Sequence, residues 1–390
     1  MAWLASNMAM CMHDVAMAWM MAALTDDPLW VALVQTAASA PVFLLGLWGG
    51  ALADRLNRRN FLLLTQLWLA LVACVLVALA LTGALGPHAL LVLAFAGGVG
   101  LSLRWPTYSA SVPQLVPRAE LSPALALNGI AMNSSRVLGP MLAGALITLV
   151  GGPLVVFALN AVVALLAAAL IARWPAAQAA AVPQDGKPPQ SVAQDMWEGV
   201  RYLAATPALQ AVLARAGLFF FHSAAAVALA PLVGKSLITD SANGFTLLVA
   251  GMGAGAILMG TQLQRIRRRH DRDTVAVAAG ALMAVALLVV AHAPVLPLAV
   301  AGMVMVGGAW MASANSFTLT AQLMLPNWVR ARGIAFYQMI MMGGMAVGSA
   351  FWGWLASVQG IQTSLTVAAA SMMVVAGMSQ RWFRLERPGT

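Results

Sequence analysis

Apolar stretches of span length recur from one end of this chain to the other, and no other feature constrains its fold as tightly. A hydrocarbon core about 30 Å thick is crossed by roughly 20 apolar helical residues. Cutting at charged and Pro/Gly-rich breaks leaves twelve such stretches. They lie near 3–24, 29–53, 61–82, 88–112, 122–149, 153–173, 208–234, 243–264, 273–292, 295–321, 332–357 and 361–381. Charged residues are 8% of the 390, against about 25% in an ordinary soluble domain. So few charges cannot cover a water-facing surface, and lipid must be the main solvent.

The basic residues orient the spans. Arg55, Arg58 and Arg59 follow the second stretch, and Arg118 follows the fourth. Arg173, Lys187 and Arg201 follow the sixth, and Arg265, Arg267, Arg268, Arg269 and Arg272 the eighth. Arg330 and Arg332 follow the tenth, and Arg381, Arg384 and Arg387 lie in the tail. Of the 21 basic residues, only Arg104, Arg136, Arg215 and Lys235 fall elsewhere. The opposite side holds Lys235 with Asp26, Asp27 and Asp240. Positive loops stay in the cytoplasm on insertion. A multi-pass protein of the bacterial cytoplasmic (inner) membrane, with both termini cytoplasmic, is expected. The net charge of +9 therefore reports orientation, not nucleic-acid binding. The first stretch has no basic lead and no small-residue cleavage site, so it reads as a retained span. Its abrupt start leaves room for an upstream start codon.

Residues 174–206 break the pattern. PAAQAAAVPQDGKPPQ reads as a linker. SVAQDMWEGVRYLAATP follows, with Val192, Met196, Val200 and Leu203 near helical spacing and Asp195 and Glu198 off that face. This predicts an amphipathic helix on the cytoplasmic surface. It divides the chain into an N-terminal six-helix bundle (1–173), a linker (174–206) and a C-terminal six-helix bundle (207–390). The halves repeat. GGALADRLNRRNFLLL corresponds to GTQLQRIRRRHDRDTVAV, and VPQLVPRAELSPALALNGI to TAQLMLPNWVRARGIAFYQ. Paired repeats of this kind build a midplane site with alternating access.

Enzymatic and ATP-driven chemistries lack their residues. There is no His/Asp/Glu cluster of metal spacing and no Gly-x-Ser-x-Gly. Gly234-Lys235-Ser236 mimics the end of a phosphate loop, but Leu229 stands where its first glycine belongs. GMGAGAILMG is apolar throughout and reads as helix packing, not a dinucleotide loop. Cys11 and Cys74 lie in apolar runs and supply neither a disulfide framework nor a zinc site. No cofactor, metal or catalytic residue is expected.

Gly50-Ala51-Leu52-Ala53-Asp54-Arg55-Leu56-Asn57-Arg58-Arg59 resembles the helix 2–3 loop motif of the major facilitator superfamily. It departs at Asn57, where glycine is usual; Asn tolerates a left-handed backbone better than most residues. WMMAALTDDPLWVALVQ, PQLVPRAELSPALALN, RVLGPMLAGAL and LPNWVRARGIAFYQMIMMGGMAVGSAFWGWLA resemble its transmembrane secretion effector branch, which is similar to enterobactin exporters. The resemblance covers essentially the whole chain. It implies an all-α membrane protein, about twelve transmembrane helices in two pseudo-symmetric six-helix bundles. It also implies a gate at the cytoplasmic seam, formed by Gly50, Asp54, Arg55, Arg58 and Arg59, where Asp54 faces the positive N-terminus of helix 11. Gly139, Pro140 and Gly144 resemble the antiporter motif of helix 5; ordinary small-residue packing is the other reading.

Charges inside spans are costly and need a reason. Asp14 lies mid-span beside His13. It is either a protonatable group on the transport path or a carboxyl hydrogen-bonded between helices. Arg104 and Arg136 either bind an anionic substrate or form structural ion pairs with Asp14 or Asp54. Arg215 lies near enough to a span end to snorkel. His222 is either a path residue or a satisfied interhelical partner. Trp310, Trp352 and Trp354 are mostly packing residues that could also line a cavity. The expected function is a secondary transporter, a monomer in the lipid bilayer that exports small amphiphilic compounds, drug or siderophore-like, with the proton as coupling ion. An importer of a small metabolite and a non-transporting membrane sensor are the alternatives.

Overall fold

The computed structural model describes residues 2–115, 120–174, 192–238, 241–326 and 329–382, and every regular element among them is helical. In chain order they are α1 (Ala2–Leu24), α2 (Pro28–Arg55), α3 (Arg58–Leu81), α4 (Pro87–Leu115), α5 (Leu121–Val150) and α6 (Leu154–Ala172). After α7 (Val192–Ala204) come α8 (Pro207–Leu237), α9 (Ser241–Arg267), α10 (Arg272–Ala291), α11 (Leu296–Met324), α12 (Arg330–Gln359) and α13 (Ile361–Trp382). Among the described residues, 10 helices are long and apolar enough to cross a membrane. Helices α1 and α5 match them in length, at 23 and 30 residues. Only α7 is short, at 13 residues.

The helices overrun their apolar stretches. Apolarity marks only the part in hydrocarbon, whereas the backbone keeps its internal hydrogen bonds into the polar boundary. The loop after α2 is made by Asn57, whose side chain accepts from the Asn60 amide at 3.2 Å. Its backbone is extended, at φ −60° and ψ 109°. The left-handed turn expected there is therefore absent, and Asn57 serves as the N-cap of α3.

Packing shows two pseudo-symmetric six-helix bundles. In the first, α1 lies on α5 and α6, α2 on α4, and α3 on α4 and α6. In the second, α8 lies on α12 and α13, α9 on α11, and α10 on α11 and α13. Adding seven to each label of the first set produces the second. The helix ends repeat too: α5 stops at Gly151 (φ 82°) and its counterpart α12 at Gly360 (φ 89°).

Two interfaces dominate the junction of the bundles, α2 with α12 and α5 with α9, and the same relation exchanges them. Helices α2 and α12 run antiparallel. Gly353 lies on Ala32, Gly343 on Phe43 and Gly46 on Met339, and Thr36 donates to the Ala346 carbonyl at 2.9 Å. Gly144 of α5 lies directly on Thr246 of α9. Lipid tails are as apolar as leucine, so close backbone approach must hold such helices together. The glycine-rich stretch of α9 does this most fully: a Cβ on Gly255 would overlap the Val304 carbonyl, and one on Gly307 the Met252 carbonyl.

Arg215 does not snorkel. It is 4% exposed and pairs with Asp273 at the start of α10. Burial without a partner would leave a bare charge in the bundle. Helix α7 seats Gly199 against Phe336 and Arg332 of α12, while Trp197 is 68% exposed.

Candidate substrate and coupling site

Helix α1 is enclosed almost all round. Among its described side chains only Ala5, Asp14, Ala23 and Leu24 are exposed. Met10, Cys11, Met17 and Ala18, one turn above or below Asp14 on its own side, are buried or half-buried. Asp14 is thus the one exposed side chain between Ala5 and Ala23 among the described residues of α1. No charged partner for Asp14 exists among the described residues. Its neighbour His13 leaves Nδ1 buried without a partner and meets Phe157 edge-on, with ring centroids 5.4 Å apart.

Trp3, Asn7, Met10 and Asp14 fall at spacings of four, three and four, which places them on one face. The end of that face meets α4. Arg104 is 1% exposed, and its Nη2 donates to Asn7 Oδ1 at 3.3 Å. The guanidinium carbon lies 4.4 Å from the centroid of the Trp3 ring. Trp3 in turn stacks on Tyr108, one turn from Arg104 along α4, at 4° between planes. Arg104 is thus surrounded by Asn7, Trp3, Cys11 and Tyr108, with no described contact to Asp14. Trp3, Asn7 and Tyr108 were missed in the sequence; the shared face with Asp14 was the signal available.

His222 is buried in α8, and its Nδ1 lies 2.7 Å from the Leu218 carbonyl, so that nitrogen carries the hydrogen. Its ring is 5.7 Å from Trp352. Trp352 is buried and donates to the Phe221 carbonyl at 2.8 Å, whereas Trp354 is 50% exposed. The three tryptophans line no common cavity in the described contacts: Trp310 meets Phe220 instead.

Gly139 is seated against Cys11 and Met8 of α1. Pro140 lies within the helix, and its missing N–H leaves the carbonyl four residues earlier without its helical donor. Arg59 donates to the Ile171 and Ala172 carbonyls, capping the C-terminus of α6. Asn57, Arg58 and Arg59 thus form a corner on the arginine-rich side. The side chains of Gly50, Asp54, Arg55 and Arg136 lie outside the described residues.

On the opposite side Lys235 of α8 reaches Asp26 Oδ1 at 2.6 Å and the Ala22 carbonyl at 3.2 Å. This bridges the two bundles beside a hollow lined by Trp19, Ala22, Ala23 and Pro231. At the arginine-rich end α4 and α5 share no extended packing with α11 or α12 among the described residues.

A family model described as transmembrane secretion effector matches residues 1–387. An MFS-type transporter of Bacillus subtilis (strain 168), YfiS, is 32% identical over 123 residues, a stretch spanning 31% of this chain and 28% of that protein. Among solved structures, the nucleoside transporter NupG superposes with a TM-score of 0.76 at 14% identity, covering 97% of each chain. A D-xylose–proton symporter gives 0.71 at 14% identity, over 98% of this chain and 97% of that one. A bacterial homologue of the human lysosomal transporter Spinster, inward-facing and unoccupied, gives 0.70 at 15%, over 100% and 98%. Identities this low establish a shared fold alone.

Proposed function

Since the chain belongs to the transmembrane secretion effector family of major facilitator transporters, we propose that it exports small amphiphilic compounds, drug or siderophore-like, in exchange for protons. The observation that carries this reading is Asp14, an exposed carboxylate within an otherwise enclosed stretch of α1. A carboxylate at such a place can take up a proton from one side and release it to the other as the bundles rock. A membrane interior makes an unpaired charge expensive, so a group that is charged in one state and neutral in the next has a reason to sit there.

In this reading the arginine-rich loops and both termini face the cytoplasm of a bacterial inner membrane, and the protein works as a monomer. The Lys235–Asp26 bridge then closes the periplasmic side while the cytoplasmic side is open. On conversion to the outward-open form, Asp54 approaches the N-terminus of α12, whose positive end attracts it. His13, Arg104, Arg136 and His222 border the route, and Gly139, Pro140 and Gly144 let α5 tilt against α1 and α9.

A substrate-panel assay in an efflux-deficient host tests the direction. The expected result is lower accumulation of at least one amphiphilic compound, abolished when the proton gradient is collapsed. Raised accumulation of panel compounds on expression would favour import instead.

A further inference from the structure

Arg104 carries an unfinished hydrogen-bonding edge. A guanidinium presents Nε and Nη2 side by side, a fork matched to the two oxygens of a carboxylate. Here Nη2 has one long bond, 3.3 Å to Asn7 Oδ1, and Nε is buried with no partner. Two further donors around it are also buried and unpartnered: Asn7 Nδ2 and Trp3 Nε1. Three unfilled N–H donors, on Arg104 and on the two side chains that touch it, call for acceptors, and Arg104 is always charged. Leaving them empty costs about 1–3 kcal/mol for each group.

Among the described residues no carboxylate pairs with Arg104; the groups that act favourably on its charge are the Cys11 thiol and the Tyr108 hydroxyl. Asp14 stands seven residues along α1, about 10 Å of helical rise away. None of the hydrogen bonds and ion pairs described for Arg104 includes a carboxylate. The Trp3 ring covers one guanidinium face, which leaves the in-plane edge, itself closed to solvent in this structure, as the side an acceptor approaches. Arg104 lies 11 residues from the end of α4, about 16 Å of helical rise from that end.

We propose that the Nε–Nη2 edge of Arg104, with the Asn7 amide and the Trp3 indole N–H, binds a carboxylate-type oxyanion of the transported compound. This rests on the transporter reading and narrows the substrate class: an amphiphile with an acidic head. The acid's two oxygens take Nε and Nη2 of Arg104, and its apolar body extends along the α1 face towards Asp14. Asp14 then discharges its proton apart from the anion rather than competing for the same arginine.

The test is equilibrium binding to the purified full chain. Benzoate is the probe and benzamide its neutral control, read by the melting midpoint in detergent. Benzoate is expected to raise the midpoint of the wild type, and benzamide to leave it unmoved. Arg104→Gln should weaken benzoate at least about tenfold, the loss expected for a charge-assisted pair. If Arg104→Gln does not fold, Trp3→Phe and Asn7→Leu carry the test, since both keep the charge: Trp3→Phe removes the indole N–H, and Asn7→Leu removes the amide donors together with the Oδ1 that holds Nη2. Each should lower benzoate affinity several-fold. Equal shifts by benzoate and benzamide, no shift by either, or undiminished binding in the variants overturns the proposal. Binding needs no transport, so benzoate binding by a chain that exports nothing would sink the export reading and leave this site standing.

Discussion

Lys235 Nζ lies 2.6 Å from Asp26 Oδ1, so a single ammonium ties the C-terminal end of α8 to the α1–α2 turn. The two residues are 209 positions apart and belong to different bundles. Both side chains are partly or largely exposed, at 41% and 86%, so the contact is a weak latch rather than a bolt.

Reversing either charge should loosen the closure, and reversing both should restore it. The readout is maleimide labelling of Ala23→Cys, beside the latch, in a chain lacking Cys11 and Cys74. Asp26→Lys and Lys235→Asp should each raise labelling about two- to fivefold, in keeping with an exposed pair. The double swap should return to the parent rate; a swap labelled as fast as the single variants would show that the pair does not act as a latch.

Arg215 and Asp273 form the opposite kind of pair. Their side chains are 4% and 13% exposed, so removing one partner strands a buried charge. Arg215→Met or Asp273→Asn should cost about 3–5 kcal/mol, seen as a large fall in the melting temperature of the purified protein. Replacing both with leucine should cost less than either single change. A double variant as unstable as the sum of the singles would contradict this.

At Gly255 and Gly307 the α9–α11 contact leaves no room for a Cβ. Gly255→Leu or Gly307→Leu should lower stability by about 1–3 kcal/mol or more through overpacking. Gly97→Ala, where an added Cβ meets nothing within 4 Å, is the matched control and should be neutral. Thermal unfolding at equal expression separates them.

Asp54→Asn should slow transport severalfold while leaving membrane insertion and the melting temperature unchanged, because the expected contact with the α12 N-terminus forms in the closed-inside state only. Export rates matched to the wild type at equal protein level would remove Asp54 from the gate.

Much of the fold was legible because two signals are local. Span-length apolar runs and arginines in every second loop are read off neighbouring residues, and α2, α4 and α8 lie where those runs predicted. The glycines of α9 were legible as packing for the same reason. Arg215 was misjudged because distance to a span end suggested snorkelling, whereas its partner Asp273 lies 58 residues on and only the fold brings it near. Asn57 was misjudged because the motif favoured a left-handed turn, while its side chain found the Asn60 amide instead. Arg104 was singled out, but its ring and amide neighbours were not, since a tryptophan or asparagine within an apolar helix carries no mark of which helix it will face.

Proton exchange through Asp14 is the central claim, and everted membrane vesicles test it most directly. Respiration acidifies their interior and quenches a weakly basic dye. Adding a compound that the host assay shows to be exported should draw protons out and restore fluorescence in wild-type vesicles. Asp14→Asn vesicles with equal protein should show no recovery. Full recovery in Asp14→Asn, or none in the wild type with a compound it exports, would contradict the account.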